Sequence, residues 1–154
     1  MRKQFVHSTD CDDIEMGVRE EINGSRVYVT PQGNIYPSIT SILGRQPKPG
    51  IEAWKEKVGY QEANKIMKES AALGTMVHSL CEDYLYNEDL QCDDKEAISV
   101  FNRLRFLLGN IDNIQCIEAP LHSDILKVAG TADCIAEYNG VLSVIDFKTS
   151  RKAK

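Results

Sequence analysis

The dipeptide Asn139-Gly140, with an apolar run on each side, constrains what this chain can fold into more than any other feature. Asn-Gly suits the two left-handed positions of a type I′ turn, whose twist matches that of paired strands. Glu137-Tyr138-Asn139-Gly140-Val141 therefore reads as a hairpin joining strands Val128 to Tyr138 and Val141 to Phe147. A hairpin lays its strands side by side, so Asp133 and Asp146 can meet although they are thirteen positions apart. Asp146 and Lys148 are two apart on a strand and project from one face, while Phe147 points to the other. Acids on otherwise apolar strands are costly unless they are paired or hold a metal.

Two carboxylates and an ammonium on one surface suit metal-assisted hydrolysis of a phosphodiester. Asp133 and Asp146 are the candidate metal ligands, and Lys148 the group that orients the attacking water and stabilises negative charge. Oxygen ligands favour Mg²⁺ or Mn²⁺. Read alone, Asp146 and Lys148 equally describe a solvated ion pair on an exposed strand. Gly130 is open between a close-approach position and a simple glycine at the start of a strand.

Further candidates lie upstream. His78 sits on the helical face away from Leu73, Val77 and Leu80, with Glu82 one turn on. From the residues alone it is either a hydrogen-bonded structural histidine or a ligand; Glu82 is a solvated acid or an orienting partner. Alternation places Glu118 with Cys116 and Pro120, opposite Ile117 and Ala119, as a second-metal ligand or an acid on an edge strand. His122 reads as structural or as a nucleic-acid contact. Thr149, Ser150 and Arg151 can hydrogen-bond a phosphate, and Tyr36, Ser38 and Thr40 can meet single-stranded DNA or serve as core and cap. No helix-turn-helix or zinc-finger pattern offers base readout, and no GxxxxGK[ST] loop points to a nucleoside triphosphatase.

These segments carry a resemblance. Asp133 in Gly-Thr-Ala-Asp, followed by Asp-Phe-Lys at Asp146–Lys148, resembles the PD-(D/E)xK nuclease superfamily. The wording GTADCIAEYNGVLSVIDFKTS is similar to its RecB-like branch, and especially to genome-maintenance exonucleases of mitochondria and their phage and bacterial relatives. Gly74-Thr75-Met76-Val77-His78 with Glu82, Ile117 to His122, and Tyr36 to Leu43 resemble three other segments of that branch in order. The resemblance implies a restriction-endonuclease-like core with helices packed on a small mixed sheet. It also implies His78 and the Phe147 backbone carbonyl as metal ligands, and exonuclease action on single-stranded DNA ends during replication, recombination or repair. An imidazole nitrogen tilts such a site toward Mn²⁺. One departure is that no Gln-x-x-x-Tyr motif follows Lys148. This leaves open a non-catalytic nucleic-acid-binding or partner-regulating module, or a groove completed by a partner chain or a further C-terminal segment.

Composition sets broader limits. The 154 residues suit one domain, and the pattern reads as a polar segment over 1–25 followed by a single nuclease-like domain over 26–154. Helices are expected over Ser38–Gly44, Ile51–Ser70, Ala71–Tyr86 and from a capping box at Asp93 and Glu96 to Gly109. Strands are expected over Arg26–Thr30, Asn34–Tyr36, Ile114–His122 and the terminal hairpin. Helices first and then an antiparallel meander make an α/β or α+β fold. The net charge of −5 argues against tight non-specific duplex binding, although a bound metal supplies part of the positive field. Five cysteines without a compact spacing read as free thiols in a reducing compartment, with no iron–sulfur cluster. No apolar run approaches a membrane span. The first thirteen residues read as neither a secretory signal nor a transit peptide, so the cytoplasm of a bacterium or a phage-infected host is expected.

Overall fold

The computed structural model describes residues 2–8 and 17–149. The described residues form an α+β fold with two small sheets and four helices, and they divide into two compact bodies.

The first body comprises the described residues within Met1–Phe5, Lys48–Asp112 and Phe147–Lys154. Its helices are α2 (Pro49–Val58), α3 (Tyr60–Leu85) and α4 (Lys95–Leu108). Pro49 opens α2, where its missing N–H costs nothing. The expected boundary between the two long helices near Ser70 is not there; the break falls at Gly59, with φ 95° and ψ 134°. Only glycine adopts this conformation readily. Residues on both sides of it have helical composition, so the pattern ran across the break. Asp94 caps α4 by accepting from the Ala97 N–H at 2.8 Å, one residue later than the box read at Asp93.

Leu73, Val77, Leu80, Cys81 and Tyr84 form the buried stripe of α3 and face Ala97, Phe101 and Leu108 from α4. Phe5 stacks edge-on against Tyr84, and Tyr84 against Phe101, with centroids 5.1 and 5.5 Å apart. The Phe5 backbone exchanges two hydrogen bonds with the Asn87 side chain. The start of the chain, read as a loose polar segment, is thus pinned here by a buried aromatic.

The second body comprises the described residues within Val6–Pro47 and Asn113–Asp146. One antiparallel sheet holds β1 (Val18–Ile22), β2 (Ser25–Val29) and β3 (Ile35–Pro37) in that order, followed by the short helix α1 (Ile39–Gly44). Strand β1 was not expected, because Val-Arg-Glu-Glu-Ile is exposed throughout and carries no apolar alternation. The other sheet has the order β4 (Ile111–Ser123), β5 (Val128–Tyr138), β6 (Val141–Ile145). The first two residues of β4 belong to the first body. A parallel bridge between Ser38 and Ala129 joins the two sheets, and another links His7 to Ile114. Among the described residues, no helix is long and apolar enough to cross a membrane.

Gly59→Ala should destabilise the protein by about 1–2 kcal/mol through its positive φ. No atom lies within 4 Å of the added Cβ, so the cost is conformational rather than steric. A lower urea midpoint with an unchanged slope is the expected result.

Candidate functional site

The β5–β6 hairpin forms as its turn dictates. Asn139 and Gly140 have φ of 50° and 78°, the two left-handed positions that a type I′ link needs. The antiparallel ladder runs from Tyr138↔Val141 out to Cys134↔Ile145. Asp133 and Asp146 are the next residues along, one on each chain, just beyond the last pair. Opposed residues share a face with Cβ atoms about 4.5–5.5 Å apart. Both aspartates line one open pocket of about 270 Å³ with Leu121, Gly130, Thr131, Ala132, Val144 and Ile145. Asp133 is half-buried and Asp146 exposed. Like charges directly opposite each other disfavour the pairing, and a cation between them removes that cost.

The strand expected to reach Phe147 stops at Ile145. In the first body, the Phe147 carbonyl instead accepts from His78 Nε2 at 2.7 Å. A carbonyl cannot donate, so His78 carries its proton on Nε2 in this bond. The two rings meet edge-on, 5.7 Å apart. One turn earlier on α3, a Cβ on Gly74 would lie 3.4 Å from Thr149 Oγ1. Residues 147–149 therefore run along the face of α3 that presents Gly74 and His78. Phe147 is buried, Thr149 half-buried and Lys148 exposed, while Glu82 is half-buried one turn beyond His78. Ser150 and Arg151 lie outside the described residues, as do Cys11 and the Asp10–Asp13 acids.

Glu118 is exposed and has φ 51°, a left-handed backbone unusual for a non-glycine residue. It interrupts the period-two pattern of β4, so faces cannot be counted across it by simple alternation. Asn113, earlier in the same strand, is also left-handed and donates to Glu137 Oε1 at 3.0 Å.

The upstream candidates are held by side-chain bonds within the second body. Tyr36 is buried, and its hydroxyl donates to Asp124 Oδ1 at 2.6 Å. That bond holds the Tyr36 phenol above its ordinary pKa. His122 Nε2 lies 3.9 Å from Asp124, with its ring tilted over Tyr36. Ser38 is buried and shares a hydrogen bond of 2.7 Å with Thr40, which is exposed. Sequence reasoning missed Tyr28, whose hydroxyl bonds Thr131 Oγ1 at 2.8 Å. The two are 103 positions apart, so no local pattern announces the bond.

Cys134 follows Asp133 and is fully buried. Burial, the Asp133 charge and then Cys116 push its thiol up to about 12. In the metal-free protein it stays a thiol at neutral pH, which makes it a poor nucleophile.

No family model matches the chain. It is similar to mitochondrial genome maintenance exonuclease 1 of mouse, 28% identical over an alignment of 144 positions that covers 87% of this chain and 43% of the relative. The human protein of that name is 28% identical over 134 residues, covering 80% and 39%, and that of Xenopus tropicalis 31% over 129 residues, covering 77% and 37%. The chain spans about two fifths of the length of these relatives. They correct the expected compartment: proteins named for mitochondria, in three vertebrates, point away from a bacterial or phage-host cytoplasm. That expectation rested on the composition of the first thirteen residues and on the cytoplasm as the default.

Cys134 should resist iodoacetamide at pH 8 in the native protein while half-buried Cys92 is labelled, as read by peptide mass spectrometry. Rapid labelling of Cys134 without denaturant would show that β5 opens freely.

Proposed function

As the chain is a relative of the mitochondrial genome maintenance exonucleases, we propose that it is a nuclease that hydrolyses DNA phosphodiester bonds with a divalent cation. The observation that carries this reading is that Asp133 and Asp146, the residues next beyond the last pair of the β5–β6 ladder, line one open pocket. Carboxylates at Asp133 and Asp146, with Glu118 as a further acid, are the donor type that suits a hard divalent ion, and the resemblance adds the Phe147 carbonyl and the His78 imidazole.

Mg²⁺ or Mn²⁺ bound by these residues supplies Lewis acidity at the phosphoryl oxygens and a water acidified for attack. The rest falls to side chains. Asp133 and Asp146 would hold the ion, and His78 and the Phe147 carbonyl are the further donors that the resemblance implies. Lys148 orients the attacking water and stabilises charge on the non-bridging oxygens. Thr149, Ser150 and Arg151 hydrogen-bond a neighbouring phosphate and keep the strand in register without reading sequence. Of the upstream candidates, Thr40 is exposed and meets the strand, while Tyr36 and Ser38 are buried and hold it in place.

Single-stranded ends are the substrate we favour. The net charge of −5 leaves little for tight duplex binding, and the relatives are named exonucleases. The same charge favours the second reading, a module that binds nucleic acid or a partner without cutting.

The test is digestion of end-labelled single- and double-stranded DNA in EDTA, Mg²⁺ or Mn²⁺. Cleavage should need the metal and favour single strands, and Asp146→Asn or Lys148→Ala should lower it at least about 100-fold. Binding without cleavage by the wild-type chain would establish the second reading.

A further inference from the structure

We propose that Tyr28 is a positioning residue for Asp133, holding Thr131 so that β5 presents its carboxylate toward Asp146. The inference rests on the nuclease reading and deepens it.

Tyr28 lies in β2, the middle strand of the first sheet, and is 2% exposed. Its ring packs with Tyr36 and Ala129, and its hydroxyl bonds Thr131 Oγ1 at 2.8 Å. A buried phenol needs such a partner, and Tyr28 finds it on β5 rather than in its own sheet. The adjoining positions are held as well. Ala129 bridges to Ser38, and a Cβ on Gly130 would come within 3.0 Å of Ile39 Cγ2. Three consecutive residues of β5 thus meet β2, Ser38 at the cap of α1, and Ile39 of α1 at close approach.

Asp133 is two residues beyond this clamp. Ala129, Thr131 and Asp133 share one face of the strand, at intervals of about 6.7 Å. The hydroxyl bond thus sets the last clamped side chain on the same face as the carboxylate. On the far side the β6 ladder takes over at Cys134↔Ile145. Asp133 lies between two fixed points, one set by register and one by Tyr28. A phenylalanine would pack as well in the same space, so the hydroxyl is the part of Tyr28 that serves position rather than volume.

Tyr28→Phe, Thr131→Val and the double variant of the full chain test this. We expect amide exchange at Ala132–Cys134 in the metal-free protein to quicken about tenfold in each single variant. The Mn²⁺ dissociation constant by calorimetry should rise, and kcat on a single-stranded oligonucleotide fall, by about tenfold with KM unchanged. The double variant should be no worse than either single one, because both remove the same bond. If the variants melt lower but keep the wild-type exchange at Ala132–Cys134 and the wild-type Mn²⁺ affinity, Tyr28 is ordinary core and the proposal falls. A wild-type chain that neither binds Mn²⁺ nor cleaves DNA would instead overturn the nuclease reading itself.

Discussion

Everything at the candidate site depends on the register of one antiparallel ladder. With Tyr138 opposite Val141, each outward step brings another fixed pair, and Asp133 and Asp146 come next after Cys134 and Ile145. The side-chain period in a strand is two, so a slip of one residue would turn every side chain of β6 to the other face. The turn prevents it: Asn139 and Gly140 take the left-handed conformations that only a two-residue link uses at both positions. A local backbone preference is thereby converted into the spacing of two charges thirteen residues apart.

That chain of causes explains what could be read in advance. The hairpin was legible because its signal is local, a dipeptide between two alternating runs. That Asp133 and Asp146 come near the open end of that hairpin was legible for the same reason, since the turn sets the register that leads up to them. The helices were legible as helices but not at their limits. Gly59 was passed over because a lone glycine in helical composition is usually tolerated, and only its φ of 95° shows that it ends one helix and begins another. At the start of α4, Asp93 and Asp94 are both good caps, and the Glu96 spacing favoured the wrong one.

What stayed hidden is non-local or depends on backbone strain. Tyr28 with Thr131 and Tyr36 with Asp124 are bonds between residues 103 and 88 positions apart, and nothing in either neighbourhood marks its partner. Strand β1 has no apolar face to read, and is a strand because β2 offers it a ladder. Glu118 looked like one more residue in an alternating strand, whereas its left-handed backbone changes where its neighbours point. Of these, the bond from Tyr28 to Thr131 is the one that ties the small N-terminal sheet to the strand carrying Asp133.

The bond between His78 and Phe147 has a consequence for how genetics can see this protein. The group that His78 grips is a backbone oxygen, and every residue that could replace Phe147 brings the same oxygen. A scan of side chains is therefore blind to it: Phe147 would score as a packing position and nothing else. Among the described residues, His78, Gly74 beside Thr149 and the buried ring itself bear on where that oxygen lies, so selection on the atom is recorded partly at other addresses in the chain.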